Sequence, residues 1–227
     1  MDKNLSEIVC IVDRSGSMAT IAADAIGGFN TFLAEQKKLP GEAQFTLVLF
    51  DTEYLVPVAN QPIQSVEPLT NKTFVPRGGT ALLDAIGRTI ATIGVRLGKT
   101  PESERPAHVI VVILTDGEEN SSHEYSHSRI ASMIQHQQDK YNWHFVYLGV
   151  GIDAFAASRS FNMASTHTYL DANGVMATLN MADVSAHTGV GISGMYGSLG
   201  GTVAVLRGLT PNVTINNFPF DADKQAK

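Results

Sequence analysis

Asp13, Ser15, Ser17, Thr80 and Asp116 are the side chains of this 227-residue chain whose types and spacing point most directly to chemistry. Asp13, Ser15 and Ser17 alternate within Asp13-Arg14-Ser15-Gly16-Ser17. Thr80 closes Gly78-Gly79-Thr80, and Asp116 lies in Leu114-Thr115-Asp116-Gly117. Together they offer two carboxylates and three hydroxyls, with no thiol or imidazole. Such a hard-oxygen set suits magnesium or manganese, and calcium less well because the protein ligands are few. The alternation at 13, 15 and 17 can place three side chains on one side of a sharp turn, and Gly16 permits unusual backbone angles there. Two carboxylates only just neutralise a divalent ion, and hydroxyls add no charge. An ion held this way keeps an affinity for one more anion, such as an Asp or Glu of a protein partner.

Each motif alone has a plainer use. Asp-x-Ser-x-Ser and a threonine before a helix are common N-caps, and Asp-Gly is an ordinary turn. Their joint occurrence, in order and each at the end of an element, is what sets them apart. The elements follow from periodicity. Leu5 to Val12 is a nearly continuous apolar run, as in a strand buried on both faces. Met18, Ile21, Ala25, Ile26, Phe29, Phe32 and Leu33 fall at helical spacing. Phe45 to Phe50 reads as a second strand, and Tyr54 to Val58 as an antiparallel edge strand, where Pro57 is tolerated. Asn60 to Arg77, with three prolines, reads as loop with a short helix. A helix is expected from about Ala81 to Leu97, a strand at His108 to Leu114, a helix from about Tyr125 to Lys140 and a strand at His144 to Leu148. A short helix near Ala154 to Arg159, a small strand at His167 to Leu170 and a partly helical stretch from Val175 to Leu206 complete the pass.

Strands alternating with helices predict an α/β fold, a doubly wound and mostly parallel sheet with one antiparallel edge strand and helices on both faces. In such sheets ligands bind at the carboxyl ends of the strands that flank the reversal of strand order. Asp13 follows the first strand and Asp116 the third long one, so neighbouring strands would bring these loops together with Thr80. The length suits one domain over 1–227, with its core at about 5–171 and a glycine-rich, partly helical elaboration over 172–227.

Asp13-x-Ser15-x-Ser17, Thr80 and Asp116, in that order, resemble the metal-ion-dependent adhesion site of von Willebrand factor A domains. The likeness covers roughly Leu5 to Asp171. The wording of Asp13 to Met18, of Gln36-Lys37 and of Phe50-Asp51-Thr52 is similar to small stand-alone bacterial and phage members of that family. The resemblance implies a Rossmann-like sheet, a magnesium ion held by Asp13, Ser15, Ser17, Thr80 and Asp116, some through water, and binding to an acidic residue of a protein partner. It implies no catalytic residue.

Bulk properties agree with such a module. The hydrophobic share of 44% is enough for a buried core. The net charge of −6 and the lack of a basic stripe argue against nucleic-acid binding. No apolar run is long enough to span a bilayer. The single cysteine, Cys10, lies in an apolar strand and is expected to pack in the core, which suits a reducing, cytoplasmic setting.

Several segments imitate other chemistry. His123-Glu124-Tyr125-Ser126-His127 matches the zinc-peptidase pattern H-E-x-x-H, the main enzyme alternative. It falls at a helix start in a polar run, and the position six residues after His127 is Met133, not histidine. Gly149-Val150-Gly151-Ile152-Asp153-Ala154 resembles a dinucleotide-binding turn, with Asp171 further on. Asp153, however, would put a carboxylate where a pyrophosphate should sit. An aspartyl-phosphate enzyme needs a second acid two residues after Asp13, where this chain has Ser15, and no Gly-x-Ser-x-Gly surrounds Ser15 or Ser17. His108, His136, His144, His167 and His187 are scattered. Asp84 is read as a first-turn acid or a support for the ion's ligands, and Glu118, Glu119 and Asn120 as an exposed rim. A non-binding scaffold whose ion only stabilises loops is the remaining alternative.

Overall fold

The computed structural model describes residues 1–149, 160–163, 166–170, 176–180 and 192–208. Five strands form the main sheet: β1 (Asp2–Asp13), β2 (Glu42–Phe50), β3 (Tyr54–Pro62), β4 (Pro106–Thr115) and β5 (His144–Gly149), in the order β3-β2-β1-β4-β5. β1 runs parallel to both β2 and β4, and β4 parallel to β5. Only β3 is antiparallel, at the β2 edge. The chain therefore moves outward from β1 in one direction to β3 and then returns to the other side of β1. That reversal separates the loops after β1 and β4, so a crevice opens at their carboxyl ends.

Strand alternation sorts the apolar side chains of β1 between two layers. Ile8, Cys10 and Val12 pack with Phe29, Phe32 and Leu33 of α1 (Ala22–Lys38). Val9 and Ile11 pack with Ile86, Ile90 and Ile93 of α2 (Leu82–Lys99) and with Ile130 and Ile134 of α3 (His127–Tyr141). Helices thus cover both faces, as expected of the doubly wound fold. A fourth helix, α4 (Ile192–Leu206), adds Leu199, Val203 and Leu206 to the α1 layer, beyond the boundary at 171 drawn from the sequence.

Element edges differ from the sequence reading in instructive ways. The first helix does not begin at Met18. Gly16–Ile21 is a 3-10 turn that buries Met18, and α1 starts at Ala22. β3 continues to Pro62 because Asn60 adopts a left-handed conformation (φ 47°) and donates its N–H to Thr46 Oγ1. The proline-rich 63–77 segment holds only a 3-10 turn at Ile63–Ser65. It is anchored by buried Ile63, Val66, Leu69 and Phe74. β6 (Thr166–Leu170) and β7 (Met176–Asn180) form a second, two-stranded antiparallel sheet, so the stretch read as partly helical from Val175 to Leu206 holds a strand at 176–180 and its helix at Ile192–Leu206. The expected helix at 154–159 and all of the glycine motif at 149–154 except Gly149 lie outside the described residues.

Candidate metal centre

All five residues singled out by type and spacing meet at the carboxyl ends of β1 and β4. Asp13 is the last residue of β1 and fully buried. Its Oδ1 accepts the N–H of Ser15 at 2.6 Å, which curls the following loop back over the strand end. The curl sets the Ser15 and Ser17 hydroxyls 3.0 Å apart, and Ser17 Oγ donates to Asp116 Oδ1 at 2.7 Å. Thr80 joins from the loop before α2, its side chain almost wholly buried. The centre of this group is marked by Gly117. A Cβ built there would lie 3.2 Å from Thr80 Oγ1, 3.6 Å from Ser17 Oγ and 4.0 Å from Asp13 Oδ2. Two segments distant in sequence thus deliver three of the hydroxyl and carboxylate oxygens around Gly117, which belongs to a third.

The electrostatics of that space are unbalanced. Burial raises the Asp13 carboxyl above the usual carboxylate range. Hydrogen bonds from Thr115 and Ser15 oppose the shift, and the negative charge of Asp116 adds to it. The ion pairs at this end of the sheet join Arg14 and Arg77 to Asp51 and Glu53; among the described residues none reaches Asp13 or Asp116. A buried carboxylate beside a second carboxylate, ringed by hydroxyls and lacking a cationic partner, is a donor set that fits a hard divalent cation. Among the described residues no group of three or more His, Cys, Asp or Glu side chains forms a metal site, so an ion here depends on the hydroxyls.

Several residues that shape the site carry no obvious signal in the sequence. Thr115, fully buried, donates its hydroxyl to Asp13 Oδ2 at 2.6 Å and accepts the Gly117 N–H at 3.2 Å. Asp51, named in the sequence reading only as part of Phe50-Asp51-Thr52, is fully buried. Its Oδ2 lies 2.9 Å from Arg14 NH2 and 3.0 Å from Arg77 Nε, and its Oδ1 accepts the Glu53 N–H. Backbone bonds tie the same pieces: Arg77 N–H to Arg14 O, Gly16 N–H to Gly78 O, and Ala81 N–H to Asp51 O. Gly78 has φ +67°, and a Cβ on it would come 3.1 Å from Thr52 Oγ1, so glycine suits this crossing of loops.

On the other side, the loop after β4 is clamped to the start of α2. Glu119 accepts the Leu83 N–H, one of the donors that a helix leaves unpaired at its N-terminus. In return Asp84, in the first turn of α2, accepts the backbone N–H groups of His123, Glu124 and Tyr125, and these bonds lower its pKa despite its burial. Asp84 thus acts on the loop backbone as well as on the helix dipole. Thr80 is not the N-cap of α2; Ala81 occupies that position without a side-chain bond, leaving the Thr80 hydroxyl to the site. A cavity of about 130 Å³ beside the first turns of α2 is lined by Thr52, Tyr54, Arg88, His123 and Glu124, among others, with Arg88 and Glu124 paired to each other.

The H-E-x-x-H segment does not form a two-histidine helix face. α3 begins at His127, so His123 lies outside it. The His127 ring stacks on Phe161 at 4.5 Å and pairs through Nε2 with Ser160 Oγ at 2.9 Å, while Glu124 is bound by Arg88. Cys10 is buried, as expected of a packing residue. Among the described residues no helix is long and apolar enough to cross a membrane.

A family model described as von Willebrand factor type A domain matches residues 6–157. No curated protein matches the chain. Among solved structures, the chain is similar to proximal thread matrix protein 1 from the mussel byssus with a zinc-occupied MIDAS motif. That match has 21% identity and a TM-score of 0.44, and covers 66% of this chain and 37% of that one. It is similar to a von Willebrand factor type A protein from Catenulispora acidiphila, with 23% identity and a TM-score of 0.41, over 64% of this chain and 33% of that one. It is also similar to the conserved hypothetical protein BatB from Bacteroides thetaiotaomicron, with 12% identity and a TM-score of 0.47, over 88% and 98% of the two chains. The chain thus spans little more than a third of the length of the mussel protein.

Proposed function

This chain belongs to the von Willebrand factor type A domain family, and we propose that it is a divalent-metal-dependent protein-binding module without catalysis of its own. The ion is magnesium, with manganese or calcium as the other ions of the same chemistry. Asp13, Ser15, Ser17, Thr80 and Asp116 hold it, some through water. The observation that carries the reading is the gathering of Asp13, Ser17 and Thr80 oxygens around Gly117, with no cationic side chain among the described residues to balance Asp13 and Asp116.

When bound, the ion supplies a Lewis-acid position that accepts an oxygen anion. The rest is done by the chain. Asp13 and Asp116 supply the two negative charges, and the three hydroxyls add ligand atoms but no charge. A partner's Asp or Glu carboxylate therefore completes the shell. Thr115 and the Ser15 N–H hold the Asp13 carboxylate in one orientation, so little ordering is left to occur on binding. Such a contact is charged and geometrically exacting, which favours selection among partners over sheer affinity.

Calorimetric titration with magnesium chloride tests the ion: one site is expected, lost in Asp116→Ala with the circular dichroism of the fold intact. Capture of partners with and without chelator tests the function. Loss of capture in chelator and in Asp116→Ala is expected. Partners retained in chelator would support the scaffold alternative instead, and stoichiometric zinc lost on replacing His123 and His127 would support the peptidase alternative.

A further inference from the structure

Thr80 is placed differently from the other four proposed ligands. Asp13, Ser15 and Ser17 follow β1 directly and Asp116 follows β4 directly, so the sheet fixes them. Thr80 sits at the end of the long connection that leaves β3, and its position depends on whatever grips that segment. The structure shows what does. The Thr80 N–H donates to Asn120 Oδ1 at 2.9 Å. The Thr80 carbonyl accepts the N–H of Asn120 at 3.0 Å and of Ser121 at 3.2 Å. One residue therefore holds both the donor and the acceptor of Thr80, forty positions away in sequence. Asn120 Oδ1 is itself fixed by the Ser121 hydroxyl at 2.6 Å, and the contact is close enough that a Cβ on Gly79 would collide with Ser121 Oγ. The same loop carries Asp116 four residues upstream, so this grip sets the Thr80 hydroxyl relative to the Asp116 carboxylate.

We infer that Asn120 is a positioning residue of the metal centre, which through its amide oxygen holds Thr80 at the distance from Asp116 that the ion requires. The inference rests on the metal reading given above. It follows from how such sites work: ligand atoms must be held to within about half an ångström, and the groups that orient them carry much of the affinity. The Asn120 amide oxygen is engaged by the Thr80 N–H and the Ser121 hydroxyl, so Asn120 acts through Thr80.

The test is a magnesium titration by calorimetry at fixed ionic strength on the unaltered chain, Asn120→Ala, Asn120→Asp and Asp13→Asn, with melting temperatures taken in metal-free buffer. Asn120→Ala is expected to weaken magnesium binding by about tenfold or more, as loss of a ligand-orienting group does, with its metal-free melting temperature little changed. Asn120→Asp keeps an acceptor for both the Thr80 N–H and the Ser121 hydroxyl and should restore the affinity. Unaltered affinity in Asn120→Ala would overturn the inference, as would a lowered metal-free melting temperature with the affinity of the folded protein intact. If Asn120→Ala fails to fold, Asn120→Ser, too short to reach the Thr80 N–H, carries the same comparison. Failure of the metal reading looks different: the unaltered chain would bind no magnesium, or Asp13→Asn would bind it as well.

Discussion

Two buried carboxylates stand on β1, six residues apart, one midway along the strand and one at its end. Glu7, in mid-strand, and Asp13, at the carboxyl end, are both removed from water, and burial raises both carboxyls above their usual range. They differ in what surrounds them. Glu7 has a guanidinium, Arg96 of α2, whose hydrogen bond and charge offset part of the burial. Asp13 has hydroxyls, an N–H and a second carboxylate. Asp51, close to Asp13, sharpens the contrast because it too is fully buried yet held between Arg14 and Arg77. Midway along β1, and even one loop away from Asp13, the fold brings a cation to a buried acid. At Asp13 it brings only ligands. A buried carboxylate left without a countercharge costs several kcal/mol unless something else supplies one, and that exception is where an ion is proposed to bind.

Five experiments would break or sharpen this contrast. The largest effect is expected for Asp13→Ala, which should abolish magnesium binding in a calorimetric titration, while Glu7→Gln should leave it intact; equal effects would erase the distinction. Next, Asp51→Ala leaves the Arg14 guanidinium buried without its carboxylate, and urea unfolding should show a loss of about 3–5 kcal/mol. Magnesium at one hundred times its dissociation constant should stabilise the unaltered chain by about 2.7 kcal/mol and the Asp13→Ala chain not at all, as read from denaturation with and without the ion. Arg96→Ala, whose side chain is 34% exposed, should cost about 1–3 kcal/mol in the same assay, less than a fully buried pair because solvent screens it, without altering magnesium affinity.

The smallest effect concerns pH. The Glu7 carboxyl is raised above 4.5 in the folded chain, so the folded state holds this proton more tightly than the unfolded one. The associated stability is full below about pH 4.5 and is lost as pH rises through the folded value. Glu7→Gln, which cannot ionise, should flatten that part of the stability–pH curve. An unchanged slope would show that Arg96 compensates the burial completely.

The sequence made the ligand types and the alternating elements legible because both are written locally. The run Ile8–Val12 announces a strand buried on both faces, and Asp13-x-Ser15-x-Ser17 announces a turn of oxygens at its end. What stayed hidden acts at long range through backbone groups, which leave no mark on residue type. The role of Asp51 stayed hidden because its arginine partners lie 37 and 26 positions away. Glu119 and Asn120 read as an exposed rim, and Asp84 as a first-turn acid or a support for the ion's ligands, because their partners are N–H groups of a distant segment. The same limit explains β7: Met176–Asn180 is a strand only because β6 pairs with it, and nothing within 176–180 says so.

The account's central claim is that Asp13, Ser15, Ser17, Thr80 and Asp116 share a single hard cation. Anomalous diffraction from crystals grown with manganese tests it most directly. One strong peak bounded by those five residues is the predicted result; no peak there, or one beside His123 and His127 instead, would contradict it.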